Sequence, residues 1–304
     1  MTITIISHPA CAAHDPGDPF PDRPERLSAI EDQLLMSGLA QVVLREDAPL
    51  ATRAQLDRTH DTNYVAAVHV VAPARGRVML DDDTPMLPES LPAALRAAGA
   101  AVRAVDLVME GGGPAFCAVR PPGHHAEIDR AMGFCFFNNV AIGTLHALEY
   151  HGLERVAVLD FDVHHGNGTE AILAGDDRVL FCSSFQHPFY PWTGHEDRGP
   201  RYVPVALAEG TGSAAFRAAI SAAWWPAIEA FRPQMILLSA GFDGHALDPM
   251  AGLNLREADY AWLTTQVMRL AEKHSGRRVV SVLEGGYDPG ATARSVVAHI
   301  KAML

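Results

Sequence analysis

The sequence predicts an α/β domain built on a parallel β-sheet with helices on both faces. Six short apolar runs alternate with longer amphipathic runs, and no internal repeat, low-complexity tract or long linker interrupts this alternation. Strands that are apolar on both sides are typical of parallel sheets covered by helices. Of the 304 residues 48% are hydrophobic, which is enough for one large core, so we expect a single domain over residues 1–304.

The predicted strands and helices follow one another along the chain. The strand candidates are the apolar runs at 3–7, 115–119, 155–160, 178–183, 235–240 and 278–284. The helix candidates cover 91–112, 138–152, 213–231, 256–276 and 290–304. The first helix has Pro92 near its first turn and Gly111 at its end, an arrangement typical of helix termini.

Composition argues against several classes of function. The formal net charge of −12 disfavours nucleic acid as a direct partner, because binding phosphates requires a basic surface. The first residues lack a basic segment followed by an apolar run, and no apolar stretch of about eighteen residues follows, so we expect neither a signal peptide nor a membrane span. The four cysteines are scattered without a CxxC pair, and three lie in apolar stretches, which favours buried thiols in a reducing, cytoplasmic setting. A homo-oligomer is compatible with all of these properties.

Polar residues cluster after four of the predicted strands. The segments are RPPGHHAEID, FDVHHGNG, GFDGHALDP and GGYD, and each carries His, Asp or Tyr beside glycine. Parallel strands bring their carboxyl ends to one edge of the sheet, where α/β proteins bind ligands. We therefore expect these four segments to form one site.

The segment 159–168, LDFDVHHGNG, indicates a metal site. Asp160, Asp162 and His164 alternate at a period of two, so on an extended chain they point to one side. Buried carboxylates at this spacing repel each other, and a divalent cation removes the repulsion. We predict Asp162 and His164 as ligands and Asp248 as a third, which leaves positions open for water and substrate, as in catalytic zinc sites. The alternative is an Asp/His hydrogen-bond network at a strand end.

Two histidines and a tyrosine are the candidates for proton transfer and oxyanion stabilisation. The prolines and glycine of PPGHHA hold His124 and His125 in a rigid loop, and Asp160 and Asn167 are candidates to orient them. Two glycines before Tyr287 allow the backbone to bend and bring its phenol to a site. The simpler alternatives are two surface histidines in a turn and a partly buried tyrosine with a hydrogen bond.

Taken together, the motifs resemble those of the zinc-dependent histone deacetylase family. The matching segments are RPERL (23–27), RPPGHHA (120–126), GFCFFNN (133–139), LDFDVHHGNGT (159–169), FYPWTG (189–194), SAGFDGHALDPMAGLNL (239–255) and LEGGY (283–287). Asn167 makes the chain similar to the class II branch and its bacterial relatives, the histone deacetylase-like and acetylpolyamine amidohydrolases. The resemblance implies the arginase–deacetylase fold, a single α/β domain around an eight-stranded parallel sheet flanked by helices on both faces.

The resemblance implies one catalytic Zn²⁺ and a proton-transfer system beside it. The implied zinc ligands are Asp162, His164 and Asp248. The other implied catalytic residues are His125 paired with Asn167 as general base and later acid, His124 paired with Asp160 as a second imidazole, and Tyr287 as hydrogen-bond donor to the scissile carbonyl.

Further positions are implied to bind the substrate or a structural ion. Gly133, Phe134 and Tyr190 would line a narrow slot for an aliphatic acyl-lysine stem. Arg23 would lie near the internal cavity that holds the released acyl group. Leu255 resembles the gatekeeper position that is acidic in polyamine-selective members. The implied structural K⁺ site consists of Asp160, Asp162, His164, Ser183 and Ser184.

The implied function is removal of acetyl or other acyl groups from acylated lysine in peptides or proteins. Small acylated amines such as acetylpolyamines are the second hypothesis, which Leu255 disfavours because it offers an ammonium group no charge partner. A two-manganese ureohydrolase is the third, which Asn167 disfavours because a second metal requires another carboxylate. A catalytically silent acyl-lysine-binding protein is the fourth, which the complete set of metal, base and tyrosine positions disfavours. Trp192, where relatives usually have glycine, is expected to reshape the rim of the slot.

Overall fold

Ten strands define the framework of the structure, a computed structural model that describes residues 2–194, 196 and 199–304. In chain order the strands are β1 (Thr4–Ser7), β2 (Leu44–Asp47), β3 (Val78–Asp81), β4 (Thr84–Met86), β5 (Ala115–Cys117), β6 (Val156–Asp160), β7 (Val179–Gln186), β8 (Tyr202–Leu207), β9 (Met235–Ala240) and β10 (Val279–Leu283). Eight of them form one sheet in the order β2-β1-β5-β10-β9-β6-β7-β8, and every neighbouring pair is parallel. Strands β3 and β4 form a separate antiparallel hairpin.

Helices cover both faces of this sheet. The α-helices are α1 (Pro9–Ala13), α2 (Glu25–Met36), α3 (Arg53–Asp57), α4 (Thr62–Val71), α5 (Ser90–Met109), α6 (Asn139–Glu149), α7 (Asn167–Leu173), α8 (Ser213–Phe231), α9 (Glu257–His274) and α10 (Pro289–Met303), with a 3₁₀ turn at Leu39–Gln41. Successive strand residues point to opposite faces. Leu159 of β6 therefore packs in a core with Trp224 of α8, while its neighbour Val158 packs in a second core with Val140 of α6.

The fold predicted from the sequence is confirmed, and the differences fall at the edges of the sheet. All six predicted strands are present, and the five predicted helices correspond to α5, α6, α8, α9 and α10. Four strands are additional: β2 and β8 are the two edges of the main sheet, and β3 and β4 form the separate hairpin. Edge strands tolerate polar residues and proline, so LRED in β2 and Pro204 in β8 hide the strand signal. Helices α1 to α4 and α7 are additional too; four of them have ten residues or fewer.

The strand register brings the polar segments to one edge, as predicted. Asp160 at the end of β6 pairs with Ser183 of β7 and with Ser239 of β9. Ala240 at the end of β9 pairs in turn with Leu283 at the end of β10. The chain therefore leaves three adjacent strands at nearly the same level, and the side chains that follow can converge.

The helices and the cysteines of the structure bear on two further expectations, the membrane span and the state of the thiols. Within the described residues, the helices are too short or too polar for any of them to cross a membrane. The four cysteines are all buried with free thiols, as the sequence predicted.

Candidate active site

Three buried side chains, Asp162, His164 and Asp243, converge at the carboxyl edge of the sheet. The first two follow β6, and Asp243 follows the adjacent strand β9. Nδ1 of His164 lies 3.0 Å from Oδ1 of Asp162 and 3.2 Å from Oδ2 of Asp243. One ligand atom from each residue lies within 4.8 Å of the other two. Two carboxylates and an imidazole at this spacing can hold a divalent cation and leave positions for water and substrate.

The predicted third ligand, Asp248, is not in this group, and the prediction is corrected to Asp243. The Asp248 carboxylate binds backbone amides instead: Oδ2 accepts the N–H of Tyr287 at 2.6 Å, and Oδ1 accepts that of Met250 at 2.9 Å. Both aspartates follow β9, and the sequence does not show which of them turns toward β6. The available signal was proximity to the strand end, because Asp243 is three residues from it, as Asp162 is two residues from the end of β6.

The protein alone leaves this group electrostatically incomplete. Burial and the Asp162 carboxylate raise the pKa of Asp243 to about 7. Oδ2 of Asp243 is buried and, although Nδ1 of His164 lies 3.2 Å away, it has no hydrogen-bond partner among the described residues. A buried carboxylate oxygen without a partner is costly. The donor set and the unsatisfied oxygen together fit a divalent ion such as Zn²⁺.

The two adjacent histidines bind different partners through Nδ1, as predicted. Nδ1 of His124 lies 2.9 Å from Oδ2 of Asp160, and Nδ1 of His125 lies 2.7 Å from Oδ1 of Asn167. Because Nδ1 of His125 donates to an amide oxygen, the lone pair of the neutral ring is on Nε2. The site therefore contains an imidazole that is oriented to accept a proton.

The partners of the two histidines also separate their pKa values. Burial alone would lower the pKa of His124, but the carboxylates of Asp160 and Asp162 raise it to about 10. Burial, together with the positive charges of His124 and His164, holds the pKa of His125 well below its usual range. One imidazole is thus charged while the other is neutral, an asymmetry typical of acid–base pairs.

A narrow cavity of about 240 Å³ opens beside these groups. It is lined by Asp83, His125, Gly133, Phe134, His164, Phe189, Tyr190, Met250 and Tyr287. The structure therefore places the predicted channel residues Gly133, Phe134 and Tyr190 in the wall, together with Tyr287. Gly133 has a φ of +57°, and a Cβ there would lie 2.3 Å from Cδ2 of His125, so only glycine fits beside this imidazole.

Asp83 is a wall residue that no sequence motif indicated. It lies in the turn of the β3–β4 hairpin. Its Oδ1 accepts the backbone N–H of Gly133 at 2.8 Å, and its Oδ2 accepts the hydroxyl of Tyr190 at 3.0 Å. The carboxylate thus connects two walls of the cavity. The run DDDT gave no signal, because acidic residues in a turn usually face solvent.

The predicted gatekeeper, Leu255, does not border the cavity. Only 1% of its surface is exposed, and it packs in the core with Tyr260 and Leu253. Met250 occupies the cavity wall instead. Both lie in the irregular segment after β9, where the absence of regular structure hides which side chain turns toward the site.

Arg23 is likewise not near an internal cavity. Its side chain is 42% exposed and forms a surface ion pair with Asp18. Arg26, one helical turn later, is the buried arginine: its Nε donates to the carbonyl of Gly286 at 2.6 Å, and its guanidinium lies 5.1 Å from the ring centre of Tyr287. The motif RPERL contains two arginines, and α2 turns only the second toward the core.

The residues predicted to bind a structural cation are all buried, and two of them, Asp162 and His164, also belong to the metal group. Ser183 and Ser184 lie in β7 beside the end of β6, and the Ser183 hydroxyl has no hydrogen-bond partner among the residues that the structure describes. Trp192, predicted to reshape the rim of the slot, does not line the cavity; 67% of its surface is exposed and its φ is +66°.

A buried carboxylate–imidazole–carboxylate group next to a largely apolar cavity is typical of metal-dependent hydrolases. The description "Histone deacetylase domain" applies to a family model that matches residues 20–303. The chain belongs to the histone deacetylase family, whose members are zinc-dependent, and it is a hydrolase that acts on amides.

Comparisons with known proteins agree with this family. The chain is 40% identical to a histone deacetylase-like amidohydrolase of Pseudomonas aeruginosa, over 93% of this chain and 74% of that protein. It is 36% identical to the human polyamine deacetylase HDAC10, over 93% of this chain and 44% of that protein. The crystal structure of the HDA15 HD domain superposes with a TM-score of 0.93 at 31% identity, covering 99% of this chain and 88% of that one.

Proposed function

We propose that the protein removes acyl groups from acylated lysine side chains in peptides or proteins. The observation that supports this most directly is the cavity of about 240 Å³, which has Phe134, Phe189 and Met250 in its wall together with His164 of the metal group. A thin, uncharged acyl-lysine stem matches such an apolar slot, whereas a free ammonium group would lose its hydration there.

We propose that Asp162, His164 and Asp243 hold a single Zn²⁺. The carboxylate–imidazole–carboxylate set and the unsatisfied Oδ2 of Asp243 support this assignment. When bound, Zn²⁺ acts as a Lewis acid that polarises the scissile carbonyl and makes water more acidic. The N–H of Gly285 donates to Oδ2 of Asp162 at 2.8 Å, a contact that orients the ligand.

Side chains of the protein move the protons of the reaction. His125 would accept a proton from the attacking water through Nε2, because Nδ1 donates to Asn167. Tyr287 would donate a hydrogen bond to the carbonyl oxygen as negative charge develops on it. An imidazole would then protonate the departing amine, which otherwise is a poor leaving group. These roles are supported by the position of both residues in the cavity wall.

We further propose a structural K⁺ behind the zinc site. The support is the buried Ser183 hydroxyl without a partner, beside the end of β6 where Asp160, Asp162 and His164 leave the sheet. Hydroxyl and backbone oxygens are ligands that suit an alkali cation. Ion occupancy at this position would hold the β6 segment in the shape that directs its side chains to the site.

Acetylpolyamines are the second candidate substrate class. The polyamine deacetylase among the relatives and the net charge of −12 favour them. Met250 in the cavity wall disfavours them, because a methionine gives the second ammonium group of a polyamine no ionic partner. We therefore place acyl-lysine first.

The experiment is a comparison of kcat/KM on an acetyl-lysine peptide, an acetylputrescine and longer acyl-lysines, with the zinc content of the enzyme measured in the same samples. We expect turnover of the peptide at one Zn²⁺ per active site and inhibition by a hydroxamate. Higher kcat/KM on acetylputrescine would establish the second substrate class. An enzyme loaded with zinc that hydrolyses none of these amides would disprove the proposal.

A further inference from the structure

The structure contains a second group of potential metal ligands, separate from the active site. It consists of Asp106 in α5, His146 in α6 and His151, two residues beyond the end of α6. Nε2 of His146 lies 2.8 Å from Oδ1 of Asp106, and Nε2 of His151 lies 2.7 Å from the same oxygen. Both imidazole nitrogens therefore converge on one carboxylate oxygen, and one ligand atom of each residue lies within 4.8 Å of the other two.

This group lies near the amino ends of the parallel strands, whereas the active site lies at their carboxyl ends. Helix α6 begins next to the catalytic loops and runs away from them, and the chain then enters β6 at its amino end. His146 lies in the last turn of α6, and Asp106 lies in the last turn of α5. The group thus lies at the C-terminal ends of two helices, where the partial negative charge of the helix dipole favours a cation.

The geometry is close to that of a three-ligand transition-metal site. Nitrogen and oxygen ligands of a tetrahedral Zn²⁺ lie about 3.3 Å from one another, since each bond measures about 2.0–2.2 Å. The two N–O distances of 2.7 and 2.8 Å need to open by only about half an ångström to admit the ion. The side chains of Asp106 and His151 are 27% and 18% exposed, so water can reach the remaining coordination position.

The rings around the group restrict its motion. Tyr150 stacks on His146 with ring centres 4.8 Å apart and an angle of 11° between the planes, and its ring meets His151 edge-on at 5.1 Å. Both imidazoles are therefore held by the same aromatic ring while their Nε2 atoms face Asp106. A ligand set that is already oriented loses little entropy when it binds an ion.

One neighbouring residue opposes metal binding. An N–H of Arg58 points to Nδ1 of His146 at 3.3 Å, which keeps the ring proton on Nε2, where Asp106 accepts it. Metal coordination through Nε2 requires the proton to move to Nδ1, so the arginine must turn away. Arg58 thus acts through both its charge and its hydrogen bond, and its removal should strengthen binding.

We propose that Asp106, His146 and His151 form a second binding site for a borderline transition-metal ion such as Zn²⁺. This site is separate from the catalytic ion and weaker, because it has one carboxylate and an arginine nearby. Bound metal would join the ends of α5 and α6 to the segment that leads into β6.

The test is a titration of metal-free protein with Co²⁺, followed by the visible absorption of the bound ion, with Zn²⁺ competition against a chromophoric chelator. Wild-type protein should bind two equivalents. His151→Ala and Asp106→Asn should each bind one, the tight equivalent, and retain deacetylase activity, which also shows that they are folded. Arg58→Gln should bind the second equivalent more tightly, on the order of tenfold, because a positive charge beside the ion is removed.

Two results would overturn the proposal. One is a single equivalent of Co²⁺ and of Zn²⁺ in the wild-type protein and in Arg58→Gln. The other is a second equivalent that persists in both His151→Ala and Asp106→Asn, which would place it elsewhere on the molecule. His151→Gln provides a conservative alternative: it keeps a hydrogen bond to Asp106 but removes the imidazole, so it should lose the second equivalent even if the alanine variant is unstable.

Discussion

The backbone N–H of Tyr287 donates to Oδ2 of Asp248 across a distance of 2.6 Å. This contact gives Asp248 a task different from that of Asp243, although both follow β9. Asp243 belongs to the metal group, whereas Asp248 binds the backbone of the loop that carries Tyr287 into the cavity wall. Mutation of Asp243 and of Asp248 can therefore separate metal binding from the positioning of Tyr287.

The first prediction concerns these two aspartates. Asp243→Asn should weaken zinc binding by more than about 100-fold. Loss of a hydrogen bond to a metal ligand typically lowers metal affinity by up to roughly 100-fold, and this variant changes a proposed ligand itself. Asp248→Asn should keep zinc and lower kcat on the order of ten- to a hundredfold, because Tyr287 is displaced. Zinc content and kcat measured on both purified variants check this. Loss of zinc in Asp248→Asn with retention in Asp243→Asn would reverse the assignment.

Tyr287→Phe should lower kcat roughly 10²–10³-fold with zinc still bound, because it removes one donor to the developing oxyanion. The phenyl ring preserves the edge-to-face contact with Phe134, whose ring centre lies 6.0 Å away. Steady-state kinetics and metal analysis on the same sample provide the measurement. A variant that retains wild-type kcat would show that the hydroxyl does not contact the reacting carbonyl.

His125→Ala should retain zinc and lose activity by about 10²–10⁴-fold, the usual contribution of a general base. Asn167→Ala should lose less, because it removes only the hydrogen bond at Nδ1 that orients the ring. The ratio of the two kcat values is the measurement. Equal activity in wild type and His125→Ala would exclude His125 as the base.

Substrate choice should respond to the wall residue Met250. Met250→Glu should raise kcat/KM for acetylspermidine roughly tenfold, because the new carboxylate can pair with a second ammonium group. Met250→Gln, which has a similar length without charge, is the control and should leave the preference unchanged. Leu255→Gln should destabilise the fold rather than change specificity, because Leu255 is buried in the core. Identical substrate preference in Met250→Glu and Met250→Gln would refute the role of charge.

A buried histidine away from the active site should make stability depend on pH. His299 is fully buried, with Nδ1 at 2.6 Å from the Thr264 hydroxyl and Nε2 at 2.9 Å from that of Ser281. Burial lowers its pKa to about 3, from 6.5 in the unfolded chain. Between these values the unfolded state binds more protons, so the stability from the neutral imidazole is complete above pH 6.5 and decreases as the pH falls toward 3.

The expected loss is about 1–2 kcal/mol in the free energy of unfolding between pH 6.5 and 5 from this residue alone. Denaturant unfolding of wild type and His299→Gln at both pH values measures it. Glutamine keeps a polar atom toward Ser281 but cannot titrate, so the variant should show a smaller pH dependence. The same pH dependence in both proteins would mean that other groups dominate acid destabilisation.

The predictions from sequence were correct where residues close together in the chain determine the structural feature. The apolar runs of β6, β9 and β10 are continuous because helices cover both of their faces, and that pattern is visible in one dimension. The pairing of His124 with Asp160 and of His125 with Asn167 was also expected, from the motifs that resemble the family. Asp162 and His164 belong to one short extended segment, so their spacing alone placed them side by side.

The sequence by itself determined the parallel α/β sheet, the edge where the site lies, the adjacent candidate ligands Asp162 and His164, and the family. Only the tertiary structure decided between Asp243 and Asp248, between Arg26 and Arg23, and between Met250 and Leu255. In each of these pairs both residues lie in one motif, and the choice depends on which side chain a loop or helix turns inward. That direction is set by packing against distant parts of the chain, such as the hydrogen bond from Tyr287 to Asp248, and no local pattern encodes it.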